Sequence, residues 1–131
     1  MIEVKNLAKD YGEHHALKGI SFSVDNGRIA GLLGPNGAGK STTMNIMTGC
    51  LTPTSGQVII DGCDMDQDPV KAKERIGYLP ELPPLYEDMT VREYLGFVCD
   101  LKKVKGAEKR TAIEEVMEAV KVTEPSAPMM A

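Results

Sequence analysis

At 131 residues the chain holds about one domain, and a domain of that size buries roughly two-thirds of the surface its unfolded form exposes. Its 42% apolar and 26% charged residues exclude a disordered chain, which would be poorer in Val, Ile and Leu. Fifteen basic residues against nineteen acidic ones leave a net charge of −4, the wrong sign for a surface that neutralises a polyphosphate backbone, so no nucleic-acid partner is expected.

Three cysteines, Cys50, Cys63 and Cys99, are odd in number and far apart, which suits neither a zinc ligand pair nor a disulfide framework. They read as small buried apolar residues. The first residues alternate apolar and charged side chains, unlike a signal peptide, and no stretch approaches the ~20 apolar residues needed to span a bilayer.

In chain order, Ile2, Val4 and Leu7, then Ile20, Phe22 and Val24, alternate with polar neighbours and predict two half-buried antiparallel strands. Tyr11-Gly12 and the polar His14-His15 separate them as a surface loop. After the turn signal Asp25-Asn26-Gly27, residues 28–33 are nearly continuous apolar sequence, which predicts a strand buried on both faces. From Lys40, the apolar residues Met44, Ile46, Met47 and Leu51 predict a helix packed on a sheet and ended by Gly49 and Pro53. Residues 56–60 predict a strand stopped by the Asp61-Gly62 turn, residues 69–74 a short helix, and residues 75–79 a further strand. Thr90 and Glu93 have capping-box spacing ahead of a helix with Val91, Leu95, Val98 and Leu101 on one side. Ile113, Val116, Met117 and Val120 repeat likewise after Gly106, and residues 123–131 read as a loose tail.

Between the predicted strand at 28–33 and the helix lie Gly34, Pro35, Asn36, Gly37, Ala38, Gly39, Lys40, Ser41 and Thr42, which fit G-x-x-x-x-G-K-[ST]. Glycines let the backbone turn its amides inward, and the amides converge on an anion with help from the helix N-terminus. Lys40 is placed to reach β- and γ-phosphates, the Ser41 hydroxyl to take one position on Mg²⁺, and Thr42 to add a hydroxyl to the α-phosphate. The expected ligand is a nucleoside triphosphate with its Mg²⁺.

This loop resembles the Walker A loop of ABC transporter ATPases, and its surroundings agree. Ala16-Leu-Lys-Gly-Ile-Ser-Phe22 resembles their second strand, Thr54-Ser-Gly-Gln-Val-Ile-Ile-Asp-Gly62 the strand and turn after their first helix, and Ile76-Gly-Tyr-Leu-Pro-Glu81 their Q-loop. The resemblance covers residues 1 to about 122. It implies an α/β P-loop NTPase of the ABC ATPase type, N-terminal part only. The core with its antiparallel β-subdomain, P-loop and Q-loop falls at 1–89, part of the helical subdomain at 90–122 and an irregular tail at 123–131.

By the same resemblance Tyr11 stacks on adenine, which narrows the ligand to ATP, and Glu81 stands where the family usually has glutamine, as a second Mg²⁺ ligand beside Ser41. The text at 79–86 is similar to the ATPases of ABC-2-type exporters. The resemblance implies a membrane subunit contacted through residues 81–88, a second ATPase subunit, and a place in the cytoplasm, peripheral to the inner face of the cell membrane.

Hydrolysis in the family also needs a signature motif, an apolar strand ending Asp-Glu and a switch histidine, none of which is found here. Val58-Ile-Ile-Asp61 imitates the second of these but reads as a strand and tight turn, and His14 and His15 precede the loop. The resemblance therefore implies a truncated ATP-binding subunit that holds Mg-ATP and hydrolyses it poorly or not at all, with Lys40 stabilising phosphate. A non-catalytic nucleotide-binding module or defective gene fragment, and a non-transport ABC protein, stay open as alternatives.

Overall fold

The alternating apolar residues at the start build a long antiparallel hairpin, β1 (Ile2–Tyr11) and β2 (His14–Val24), in a computed structural model that describes residues 1–122. Val4 and Leu7 are three apart, so in a regular strand they would face opposite sides. A register shift between them, with Asn6 at φ 48, turns both inward, and they are 1% and 0% exposed. The Asn6 amide donates to the Ser21 hydroxyl at 2.8 Å, which holds the bulge.

On the other side of β1 runs β3 (Ser55–Ile60), antiparallel, with Val4 opposite Val58. Asp61 and Gly62, at φ 46 and 79, make the two-residue turn to β4 (Cys63–Asp64), giving the order β2-β1-β3-β4. The Asp61 carboxylate accepts a hydrogen bond from the N-terminal ammonium of Met1. That bond, with the ammonium's charge, holds its pKa below the usual carboxylate range.

Helix α1 (Lys40–Met47) covers the sheet with Thr43 and Ile46, while Met44 is exposed. Helix α2 (Pro69–Glu74) opens on a proline, whose missing N–H costs nothing there, and buries Ala72. Val4, Leu7, Leu17, Ile46, Val58, Ile60, Met65 and Ala72 form one core. These elements belong to a first unit, Met1–Tyr78.

Two predicted strands are not formed. Residues 28–33 and 75–79 take no regular structure, and Ile29, Leu33 and Leu79 are largely exposed. A strand buried on both faces needs ladder partners and covering layers. Among the described residues the sheet is β2-β1-β3-β4 and offers neither segment a partner. The cysteines also differ from expectation: Cys50 is exposed and Cys63 and Cys99 are half-buried, because Cys50 falls in the turn after α1 and not on its packed face.

The second unit begins at Leu79. Its helix α3 (Val91–Leu101) starts on the capping box, with Glu93 N–H donating to the Thr90 hydroxyl at 3.3 Å and Thr90 N–H to the Glu93 carboxylate at 2.8 Å. Those bonds from Thr90, backbone first, hold the Glu93 pKa below its usual range. Helix α4 (Gly106–Ala119) buries Ile113 and Met117. Arg92–Glu114 and Lys109–Asp100 ion pairs, each 2.6 Å, link the two helices. The α3 C-terminus closes as a Schellman motif, Val104 N–H to Cys99 O at 2.9 Å and Lys103 N–H to Asp100 O at 3.1 Å, with Lys103 at φ 61. The tail expected at 123–131 lies outside the described residues.

Candidate functional site

Helix α1 begins without a side-chain cap and without an acid in its first turn. Its N-cap, Gly39, has φ 85, and the Gly39 carbonyl accepts from both Thr43 N–H and the Thr43 hydroxyl, each at 2.8 Å. The amides of Lys40, Ser41 and Thr42 come before the first intrahelical donor, so they have no acceptor inside the helix. An uncapped N-terminus of this kind favours an anion through both its amides and its dipole.

Ahead of the helix the loop folds on itself. Ala38 N–H donates to Pro35 O at 3.2 Å, and the Lys40 ammonium donates to Gly34 O and, at 2.7 Å, to Pro35 O. The loop carbonyls thus hold the ammonium beside the amides whose ligand it would share.

A cleft of about 410 Å³ opens over this turn, lined by Tyr11, His14, Ala16, Asn36, Gly37, Gly39, Lys40, Ser41 and Thr42. Hairpin β1–β2 supplies its other wall, because Tyr11 is the last residue of β1 and pairs with His14 at the start of β2. Tyr11 is half exposed, with the Lys9 ammonium 5.2 Å from its ring centroid.

Of the residues named from sequence, Tyr11, Asn36, Gly37, Gly39, Lys40, Ser41 and Thr42 share the cleft wall. Gly34 and Pro35 instead offer carbonyls to Lys40, and Ala38 lines a second cleft of about 350 Å³ with His15 and Leu17. Glu81 is exposed and lies in the second unit. Sequence reasoning missed His14, assigned to a surface loop, whereas it belongs to β2 and lines the cleft. Strand alternation carried through the hairpin would have found it, since successive side chains point to opposite faces. His15 accordingly sits on the other cleft, its Nδ1 2.6 Å from the Asp10 carboxylate.

The chemistry of this wall fits a nucleotide polyphosphate: free amides, one ammonium, hydroxyls and an exposed aromatic ring. It also fits magnesium held mainly by its ligand. No group of three His, Cys, Asp or Glu side chains gathers among the described residues, and Mg²⁺ at such sites takes few protein oxygens, completing its shell with phosphate and water.

A family described as ABC transporter matches residues 17–130. The chain is 40% identical over 119 residues to the probable multidrug ABC transporter ATP-binding protein YbhF of Escherichia coli strain K12, covering 91% of this chain and 21% of that protein. It is 39% identical over 124 residues to the linearmycin resistance ATP-binding protein LnrL of Bacillus subtilis strain 168, covering 95% and 40%. The chain therefore spans well under half the length of these relatives. Among solved structures, the ATP-binding subunit of an ABC transporter superposes with a TM-score of 0.85 at 30% identity, over 97% of this chain and 53% of that one. A dimeric, post-hydrolysis ATP-binding cassette bound to ADP and Pi superposes with a TM-score of 0.78 at 26% identity, over 98% and 62%.

Proposed function

The chain belongs to the ABC transporter family, and from that premise we propose that the cleft between Tyr11 and the 34–42 loop holds Mg-ATP for an ATP-binding transport subunit. Its fold is that of part of an α/β ABC ATPase cassette. The observation that carries the proposal is that Tyr11, Lys40, Ser41 and the uncapped α1 N-terminus meet on one cleft wall.

In this reading the amides of Gly39, Lys40, Ser41 and Thr42 receive phosphate oxygens, and Lys40 exchanges the carbonyls of Gly34 and Pro35 for the β- and γ-phosphates. Loop residues Gly34, Pro35, Asn36, Gly37 and Ala38 set the curvature that aims these donors. The Ser41 hydroxyl would be the loop's ligand for Mg²⁺, and Tyr11 would stack on the adenine. When bound, Mg-ATP supplies the phosphoanhydride bond whose cleavage powers transport.

These 131 residues, by themselves, turn ATP over slowly. Catalysis of this class needs a group that orients the attacking water. Asp61 is engaged by the N-terminal ammonium in a turn, and no carboxylate is among the described residues lining the cleft. In the cell the subunit works as a dimer with a membrane partner, which it meets at residues 81–88 on the cytoplasmic side. No helix among the described residues is long and apolar enough to cross a membrane. The multidrug and linearmycin-resistance relatives support export as the direction, and the exporter-like text at 79–86 agrees.

Calorimetric titration with Mg-ATP tests the site. The unaltered chain should bind, and Lys40→Ala should weaken binding by about 10- to 100-fold, the range for losing charge-assisted hydrogen bonds. Equal affinity of the two proteins would refute the loop as the phosphate site. Phosphate release measured on the same samples separates slow binding-module behaviour from turnover that Lys40→Ala abolishes.

A further inference from the structure

The structure assigns a further role to His14, beyond the loop and Tyr11: a nucleotide-side imidazole whose protonation strengthens nucleotide binding. The inference rests on the cleft being the nucleotide site.

Three observations carry it. His14 is the direct cross-strand partner of Tyr11, a pairing that places Cβ atoms about 4.5–5.5 Å apart. Both residues line the same cleft as Lys40, Ser41 and Thr42. His15, one residue on, faces the other cleft and is taken up by Asp10, so the two adjacent histidines are chemically distinct.

The charged and titratable groups around His14 favour this use. On β1 they are Lys9, which lies over the Tyr11 ring, Asp10, which holds His15, and Tyr11 itself. The turn carries Glu13, β2 carries His15 and Lys18, and α1 brings Lys40, whose ammonium rests on loop carbonyls. Asp10, the strand carboxylate nearest in sequence, is already engaged, so an anion entering the cleft becomes the natural partner of a protonated His14. An imidazole ordinarily titrates near pH ~6.5. A protonated His14 adds a second cation to the one supplied by Lys40, whereas the neutral ring adds none.

By linkage, a ligand that binds the protonated form better raises the imidazole pKa, and affinity gains as pH falls through that range. For a solvent-accessible charge pair the gain is about two- to fivefold.

The test is Mg-ATP titration of the full chain and of His14→Gln and His15→Gln between pH 5.5 and 8, on the order of the span that brackets an ordinary imidazole. Taking the affinity ratio of unaltered protein to variant cancels the ligand's own titration. The ratio for His14→Gln should rise about two- to fivefold toward low pH, and the ratio for His15→Gln should stay flat. In parallel, proton NMR should show the His14 pKa rising on Mg-ATP addition while His15 does not move. A flat ratio for His14→Gln, or an unmoved His14 resonance with nucleotide bound, overturns the assignment. Loss of the proposed site altogether would look different: Lys40→Ala would then bind as well as the unaltered chain at every pH.

Discussion

Gly39 joins the 34–42 loop to the sheet, and replacing it with alanine separates two costs. A Cβ at Gly39 would lie 2.5 Å from Leu17 Cδ2 and 2.8 Å from the Ala16 carbonyl oxygen, with the backbone at φ 85. Leu17 is a core residue only 3% exposed, so its methyl has little room to retreat, and the carbonyl has none without moving β2. Gly37 provides the control, since it has nearly the same φ, 83, yet a Cβ there meets nothing within 4 Å. Gly37→Ala should cost only the left-handed conformation less the unfolded freedom that alanine removes, about 0.5–1 kcal/mol. Gly39→Ala should add the overpacking of Leu17 and the strand, a further 1–3 kcal/mol or so, for a total of about 1.5–4 kcal/mol. Hydrogen exchange of the core amides of β1 and β2, compared across the two variants and the unaltered chain, reads this difference. Equal losses for the two alanines would refute the reasoning, because it would mean that contact between the loop and Leu17 contributes nothing.

Further outcomes concern the second unit. Lys103 holds φ 61 at the C′ position of α3, where a side chain costs about 1–2 kcal/mol and glycine's extra unfolded freedom gives back about 0.4–1 of it. Lys103→Gly should therefore stabilise α3 and α4 by about 0.5–1 kcal/mol in a denaturant titration followed by circular dichroism, whereas Lys103→Pro should unfold the turn. For the capping box, the folded pKa of Glu93 is depressed by Thr90. Its contribution is thus fully present above the ordinary glutamate pKa and lost as pH falls through the folded value. Thr90→Ala deletes the hydroxyl donor but keeps the backbone one, so it should move the Glu93 titration, followed by NMR, only part of the way toward its ordinary range and remove only part of the acid-dependent stability of α3.

The features legible in the sequence are those whose physics is local. The capping box needs only Thr90 and Glu93 three residues apart, and the Asp61-Gly62 turn only two residues that tolerate positive φ. The two strands were readable from alternation, but not the bulge at Asn6 that restores Leu7 to the inner face, nor the extension of the strands through Tyr11 and His14-His15. Residues 34–42 were readable for the same reason: glycine conformation, a helix start and the adjacent lysine all arise within one short segment.

What only the tertiary structure decided depends on partners distant in sequence. Residues 28–33 have the composition of a buried strand, yet a strand exists only where a neighbour completes its ladder, and none does among the described residues. The far wall of the cleft was decided by the register of β1 against β2, which sets Tyr11 opposite His14 and turns both toward the loop. Local chemistry marked residues 34–42 as a candidate anion site from the sequence alone. Packing of the hairpin against that loop decided which aromatic ring and which of two adjacent histidines would share it, because strand alternation sends His14 and His15 to opposite faces.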